Sequence, residues 1–394
     1  MQNPLSKLTH PAQAEPESGI VEAAMHGFSK PGIIAFWSGE GNLPTPEKFS
    51  RAASESLFNG ETFYTRQGGI PELREALTRY HQRHFGVELS PQNFSVTGGG
   101  MQAIQIALQM TVSAGDEVII PTPAWPNYAA PMRLMGAKPV EVPMSFANGK
   151  WALDLDQLFA ATHAKTKAIC INSPSNPLGW VASKADLIAI RDHARKHGIW
   201  IIADEVYSQF YYGAEGSRAP SFLDICDSEE QILYCNTFSK NWAMTGWRVG
   251  WLQAPKALAK TIENFVQYNT SGTAVFLQWG CVAALDQGDP FIALQVRKAR
   301  ANRDMALNVL GQHQNIRLSS PDGAFYLFFG LEGMTNSMAT AKKIIEEANV
   351  GFAPGMAFGS AGEGFLRMCY LKEEGKLAEG LERFSLWLRT GKPL

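Results

Sequence analysis

Residues 167–207 have the sequence KAICINSPSNPLGWVASKADLIAIRDHARKHGIWIIADEVY. Two apolar runs, 167–171 and 199–203, enclose a loop rich in Asn, Ser and Pro and then a segment of helical length that stops at Gly198. Continuous apolar runs separated by helices of about a dozen residues or more are typical of parallel strands that are buried on both faces. The stretch therefore predicts a strand–helix–strand unit.

The same alternation extends in both directions along the chain. Further strands are predicted at 94–97, 117–120 and 231–235, and long helices dominate 255–312. Short strands and helices alternate after that point. We therefore expect an α/β protein with a large domain, residues 46–290, whose mostly parallel sheet is covered by helices. Residues 291–394 predict a smaller α+β domain, which residues 1–45 join as an arm. Pro and Gly are frequent in the first thirty residues, which predicts an irregular lead-in there.

Composition excludes several function classes. Lys and Arg number 35 against 37 Asp and Glu, and this balance does not favour a general nucleic-acid binder, which needs a basic surface. No apolar run approaches the roughly 18 residues of a membrane span. The N-terminal sequence does not resemble a secretory signal, so we expect a soluble, cytoplasmic protein. The five cysteines contain no CxxC pair, and we interpret them as reduced thiols.

Polar and glycine-rich segments follow the predicted strands at four places: 98–100, 172–179, 204–207 and 236–240. In an open α/β sheet, ligands bind just beyond the carboxyl ends of the strands. Each segment alone is weak evidence, but all four belong to that edge of the sheet. The sequence therefore predicts one binding site there.

The residue types at this edge suit an aromatic cofactor that carries a phosphate. Gly100 begins a helix, where bare N–H groups bind anions, and Arg248, Thr237 and Ser239 add further donors. Lys240 lies between Phe238 and Trp242, and apolar surroundings favour its neutral, nucleophilic amine. Asp204 ends an apolar strand, and a buried carboxylate needs a cationic partner such as a protonated pyridine nitrogen.

Metal and nucleotide sites are not favoured. His81 with His84 and His193 with His197 have helical spacing, but Arg and Lys beside them would repel a cation. We interpret both pairs as solvated helix faces and predict no metal site. No Gly-x-Gly-x-x-Gly followed by an acidic residue supports NAD, and no Gly-Lys-Ser/Thr supports ATP.

Five strings together resemble the class I/II pyridoxal-phosphate aminotransferases of fold type I. They are YTRQGGIPELREA from Tyr64, NSPSNP from Asn172, DEVY from Asp204, SKNWAMTGWRVG from Ser239 and APGMAFG from Ala353. The resemblance extends from about residue 30 to residue 390 and is strongest to the prokaryotic aspartate- and aromatic-aminotransferase-like branch. It implies pyridoxal 5′-phosphate as the cofactor and a homodimer with shared active sites.

The resemblance also implies a role for individual residues. Lys240 would bind the cofactor covalently and carry the proton in catalysis, and Asp204 would keep the pyridine nitrogen protonated. The remaining cofactor-binding residues would be Tyr64 from the neighbouring subunit, Gly100, Met101, Trp125, Asn176, Tyr207, Thr237, Ser239 and Arg248. The substrate would contact Gly39, Trp125, Asn176 and Arg367, with the Arg367 guanidinium on the α-carboxylate.

Two positions depart from the family pattern. Leu178 replaces the usual Thr after Asn-Pro, which affects a helix cap and not the chemistry, whereas Met101 replaces a Lys that aspartate-using members often have for the distal carboxylate. We therefore expect an L-amino acid donor, with neutral or aromatic side chains favoured and aspartate possible, and a 2-oxo acid acceptor such as 2-oxoglutarate. The alternative is an elimination enzyme of the same fold, a carbon–sulfur lyase or an aminocyclopropane-carboxylate-synthase-like protein. A ligand-sensing regulator would need a DNA-binding domain, for which the lead-in is too short.

Overall fold

A computed structural model of the chain describes residues 4–214 and 217–391. Its largest sheet has seven strands in the order β2-β10-β9-β8-β7-β3-β4, and only β10 runs antiparallel to its neighbours. The strands are β1 Ile34–Ala35, β2 Phe94–Thr97, β3 Glu117–Thr122, β4 Lys138–Pro143, β5 Ser145–Ala147, β6 Lys150–Ala152, β7 Thr166–Asn172, β8 Trp200–Asp204, β9 Ile232–Thr237, β10 Gly250–Gln253, β11 Ile316–Arg317, β12 Tyr326–Leu331, β13 Val350–Gly351, β14 Ala353–Pro354 and β15 Phe365–Cys369.

Helices cover both faces of this sheet. Ile120 packs with residues of helices α5, α6 and α10 on one face, and Ile119 packs with residues of α7 and α8 on the other. The helices are α1 His10–Ala14, α2 Gly19–Gly27, α3 Glu47–Phe58, α4 Pro71–Phe85, α5 Gly100–Thr111, α6 Ala129–Leu134, α7 Leu155–Ala160, α8 Lys184–His197, α9 Phe238–Asn241, α10 Ala259–Asn269, α11 Val275–Gln287, α12 Asp289–Leu310, α13 Ser337–Ala348 and α14 Glu374–Thr390. The expected α/β fold with a mostly parallel, covered sheet is confirmed.

The predicted β7–α8–β8 unit forms as expected. Ser183 accepts a hydrogen bond from the Asp186 N–H and the Asp186 side chain accepts one from the Ser183 N–H, so a capping box starts α8. Gly198 ends the helix in the left-handed conformation, with φ of 64°. In the register of the sheet, Asn172 of β7 lies beside Asp204 of β8. The polar strand ends therefore meet at one edge, as the sequence predicts.

A second, four-stranded sheet has the order β11-β12-β15-β14 and is antiparallel throughout. The N-terminal strand β1 pairs in parallel with β13, so the arm contacts the C-terminal part of the chain. These pairings agree with a smaller α+β unit built from both ends of the sequence. The domain boundaries at residues 45 and 290 stay predictions.

Three local expectations are wrong. The N-terminal lead-in contains the helix α2, which buries Ala23 and Gly27 and contacts α13. The sequence also predicts Thr45 as the N-cap of α3, but Pro46 occupies that position and the Thr45 hydroxyl donates to the Ala243 carbonyl at 2.7 Å. His81 is not on a solvated face: it is 1% exposed, and its Nδ1 lies 2.8 Å from the Leu77 carbonyl.

The described residues contain no group of three or more His, Cys, Asp and Glu side chains arranged to hold a metal ion. Over the same residues, no helix is both long and apolar enough to cross a membrane.

Candidate active site

A cavity of about 490 Å³ opens beyond the carboxyl ends of β8 and β9, between the large sheet, α2 and the smaller sheet. Twelve of the thirteen residues predicted for the site line it. They are Gly39, Gly100, Met101, Trp125, Asn176, Asp204, Tyr207, Thr237, Ser239, Lys240, Arg248 and Arg367. Residues more than three hundred positions apart in sequence thus line one cavity.

Tyr64 is the exception. Its side chain is 95% exposed and does not line the cavity of its own chain. Phe63, its neighbour in sequence, is 83% exposed. That Tyr64 serves a neighbouring subunit stays a prediction.

Lys240 lies in the short helix α9, directly after β9. Its amine donates a hydrogen bond to the Gly39 carbonyl at 2.8 Å and lies 5.8 Å from the centre of the Tyr207 ring. Burial lowers the pKa of this amine from its usual 10.5 to about 8, because the charged form loses hydration. The neutral, nucleophilic form of the amine is therefore more populated near physiological pH than in an exposed lysine.

Asp204 is 2% exposed at the end of β8. It accepts hydrogen bonds from the Tyr128 hydroxyl at 2.5 Å and from the Val206 N–H at 3.2 Å. Burial raises the pKa of this carboxyl to about 6, while the two donors and Lys240 oppose the rise. The site thus holds a buried carboxylate that a cationic ligand would stabilise.

One end of the cavity is built to bind an anion. The N-terminus of α5 lies there, preceded by Gly99 with φ of 85°, and a Cβ on Gly99 would lie 2.6 Å from Arg248 Nη2. Only glycine fits this turn, which lets the guanidinium come close to the helix N-terminus. The Thr237 and Ser239 hydroxyls lie 2.9 Å apart on the same side, and Arg248 has an exposed side chain. Phosphate would meet backbone N–H groups, two hydroxyls and a cation.

Arg367 is 2% exposed on β15, yet no acidic side chain among the described residues forms an ion pair with it. Its Nη1 donates to the Asn176 side-chain oxygen at 3.0 Å, and its Nη2 donates to the Trp37 carbonyl. Its Nε has no hydrogen-bond partner in residues 4–214 and 217–391. A buried cation with neutral partners only is costly, and a bound carboxylate would offset that cost.

Two site residues were missed by the sequence analysis. Tyr128, the partner of Asp204, stands three residues after Trp125, and the two rings make an edge contact at 5.7 Å. Tyr326 lines the cavity and shares a hydrogen bond of 2.8 Å with Tyr207. The position of Tyr128, three residues after Trp125, could have suggested that it belongs to the site. The sequence around Tyr326 contains no such indication, because the position of Tyr326 in the site depends on the register between β12 and β15.

One part of the cavity lining, the apolar wall, carries no polar side chain. It consists of Ile20, Val21 and Ala24 of α2, Phe28 directly after that helix, Trp37 and Met101. Asn127 donates a weak contact to the Met101 sulfur at 3.6 Å. Among the described residues, the cationic side chains that line the cavity are Lys240, Arg248 and Arg367. Arg367 adjoins the apolar wall, because its Nη2 donates to the Trp37 carbonyl.

Comparison with known proteins agrees with this arrangement. The family model for class I and II aminotransferases matches residues 32–384. The chain belongs to the class I and II aminotransferases. It is 35% identical over 366 residues to aromatic-amino-acid aminotransferase 2 of Thermococcus litoralis, covering 92% of this chain and 93% of that protein. It is 33% identical over 363 residues to an aspartate aminotransferase of Pyrococcus horikoshii, covering 91% and 92%. The crystal structure of an aromatic aminotransferase from Pyrococcus horikoshii superposes with a TM-score of 0.86 at 33% identity, covering 93% and 98%.

This aminotransferase is therefore a transaminase of fold type I, and pyridoxal 5′-phosphate is its cofactor. The residues present fit that group. The glycine turn and Arg248 suit its phosphate, the buried Asp204 suits its ring nitrogen, and Lys240 supplies an amine of lowered pKa.

Proposed function

We propose that this aminotransferase moves the amino group of a neutral or aromatic L-amino acid to a 2-oxo acid such as 2-oxoglutarate. The observation that carries the proposal is the buried Arg367, whose guanidinium has no anionic partner in the described part of the chain and lies at one end of an apolar wall. Its flat fork matches a carboxylate in two parallel hydrogen bonds. An α-carboxylate bound there directs the substrate side chain along that wall.

The proposal gives the residues at the other end distinct tasks. When bound, pyridoxal phosphate serves as the sink for the electrons left when the α-proton is removed. Lys240 Nζ takes that proton and returns it, since its pKa near 8 suits both directions. Asp204 would hold the proton on the ring nitrogen, and Asn176 and Tyr207 would donate to the phenolic oxygen. Gly100, Met101 through its N–H, Thr237, Ser239 and Arg248 would hold the phosphate, and Trp125 would contact the ring.

Side-chain selection would follow from the apolar wall. Phenylalanine buries its ring against α2, Trp37 and Met101, and burial of a large apolar side chain stabilises binding by about 1.5–3 kcal/mol. Aspartate would place its second carboxylate against the same wall without a cation. The relative in Thermococcus litoralis is named for aromatic amino acids and the one in Pyrococcus horikoshii for aspartate. These are the two classes of amino donor between which the proposal decides.

The proposal also includes a homodimer and a cytoplasmic location. Exposed Tyr64 is the residue that would reach the phosphate of the partner subunit. A reducing compartment suits the five cysteines, all free and four of them buried. Mixing Tyr64→Phe and Lys240→Ala proteins tests the shared site. Hybrids have one intact and one doubly damaged site, so activity should rise above that of either parent. Active monomers in sedimentation would contradict the dimer.

Product analysis tests the reaction itself. The purified protein, loaded with pyridoxal phosphate, is given phenylalanine and 2-oxoglutarate. Transamination yields phenylpyruvate and glutamate in equal amounts. The elimination alternative yields ammonia with pyruvate from a suitable donor such as cysteine, and that outcome without glutamate formation would overturn the proposal.

A further inference from the structure

Tyr326 contacts three parts of the site at once. It is fully buried on β12, opposite Cys369 of β15, so Arg367 is its diagonal neighbour on the same face of the sheet. The Arg367 guanidinium lies 4.7 Å from the centre of the Tyr326 ring. Its hydroxyl lies 2.8 Å from the Tyr207 hydroxyl and 3.4 Å from the Gly39 carbonyl.

The contact with Gly39 is close. A Cβ on Gly39 would lie 2.8 Å from the Tyr326 hydroxyl, so a side chain there would displace one of the two residues. The same Gly39 carbonyl accepts the hydrogen bond from Lys240. The Tyr326 hydroxyl therefore stands between Tyr207 at the cofactor end and the backbone that holds the Lys240 amine.

We propose that Tyr326 is a positioning residue that acts through its hydroxyl on Tyr207 and through its ring on Arg367. The inference rests on the proposed function. A tyrosine hydroxyl has one proton, so when Tyr207 donates outward to the cofactor, Tyr326 can donate to the Tyr207 oxygen. Hydrogen bonds in such a chain polarise each other, which makes Tyr207 the stronger donor. The ring face meanwhile supports the guanidinium of Arg367 by a cation–π contact.

The two actions are separable by mutation. Tyr326→Phe removes the hydroxyl and keeps the ring, whereas Tyr326→Leu removes both. Tyr370 provides a matched control, because its buried hydroxyl lies 3.1 Å from that of Tyr212, outside the cavity. Tyr370→Phe thus breaks the same kind of buried pair without touching the site.

The first readout is the pH titration of the absorbance of the bound cofactor. A weaker Tyr207 donor stabilises the deprotonated phenolic oxygen less, so Tyr326→Phe should move the midpoint to higher pH. It should lower kcat severalfold and leave the KM for phenylalanine within about twofold. Tyr326→Leu should in addition raise that KM about tenfold, since the cation–π contact is lost. Tyr370→Phe should keep the wild-type midpoint.

Tyr326→Phe with the wild-type midpoint and kcat would overturn the inference, and so would an equal shift in Tyr370→Phe. The Phe variant decides the matter if the Leu variant fails to fold. A wild-type protein that forms no glutamate in the product assay overturns the proposed function, whereas an active wild type with an unaltered Tyr326→Phe variant overturns this inference alone.

Discussion

The two sides of the cavity are built differently. On the cofactor side, Asp204, Tyr207 and Arg367 are each at most 4% exposed and have defined hydrogen-bond partners. On the apolar side, Val21 of α2 is 49% exposed, and Phe28, directly after that helix, is 75% exposed. The first side is fixed by strands of two sheets, whereas the second is formed in large part by a peripheral helix and the residue that follows it. We therefore propose that the core of the fold sets the chemistry and that this more exposed side sets the choice of substrate.

The largest expected effect is on the cofactor side. Lys240→Ala should abolish turnover and prevent borohydride from fixing the cofactor to the protein, because no other group in the cavity supplies a nucleophilic amine. The fold should survive, since within the described structure the amine loses a single hydrogen bond, the one to the Gly39 carbonyl. The melting temperature and the turnover number are the measurements. Lys260→Ala, whose side chain is 80% exposed, is the control. If borohydride reduction and peptide mapping found the cofactor attached to another lysine, the assignment of Lys240 as the cofactor-binding residue would be wrong.

Removal of the buried guanidinium should have the next largest effect. Arg367→Leu should lower kcat/KM several hundredfold for every amino donor, consistent with the roughly 3–5 kcal/mol lost when one partner of a buried charge pair is removed. Arg367→Lys should also be impaired, because an ammonium cannot reproduce the two parallel hydrogen bonds.

Arg317→Lys is the matched control. It changes an arginine that lies 4.5 Å from the Phe365 ring and outside the cavity. The assigned role is refuted if both Arg367 variants keep kcat/KM within tenfold of wild type.

Changes on the apolar side should alter selectivity and leave the chemistry intact. Met101→Lys places a cation on the wall and should shift the phenylalanine-to-aspartate ratio of kcat/KM about tenfold toward aspartate, which corresponds to roughly 1.4 kcal/mol. Gln109→Lys adds the same charge to an exposed position of the same helix, outside the cavity, and should leave the ratio unchanged. An equal loss with both substrates would show that the two sides are not separable.

The smallest effect expected is on stability against pH in the cofactor-free protein. The pKa of Lys240 is lowered from 10.5 to about 8, so between those values the unfolded chain binds more protons than the folded one. The free energy of unfolding is therefore not reduced by this group above pH 10.5, where the amine is neutral in both states. It decreases as the pH falls toward 8, because the unfolded chain takes up a proton that the folded protein binds less tightly. The melting temperature of the wild type should rise relative to that of Lys240→Met between pH 8 and pH 10. A constant difference would contradict the lowered pKa.

The cofactor side was more predictable from sequence than the apolar side. Strands β7, β8 and β9 are continuous apolar runs, and their polar ends follow from local pattern alone. The helix α2 was missed because it is short and begins and ends with glycine. A Cβ on Gly27 would lie 2.6 Å from the Trp37 ring, so this glycine allows α2 to pack closely against Trp37. An argument from helix propensity alone takes the same glycine as evidence against a helix.

Long-range register accounts for the other omissions. Strand β10 pairs with β2 from Thr97↔Gly250 to Phe94↔Gln253, and no local signal specifies that partner. Tyr326 reaches the site for a similar reason, since its position next to Arg367 depends on how β12 pairs with β15. Residues that act through a neighbour in a sheet cannot be predicted from the sequence until the pairing of the strands is known.

The measurement that tests the central claim most directly is a comparison of specificity constants for phenylalanine, methionine and aspartate with 2-oxoglutarate as the fixed acceptor. The side chains of the apolar wall, Ile20, Val21, Ala24, Phe28, Trp37 and Met101, are all uncharged, which predicts that kcat/KM for phenylalanine and methionine exceeds that for aspartate. A kcat/KM for aspartate tenfold or more above both would contradict the assignment of substrate choice to that wall.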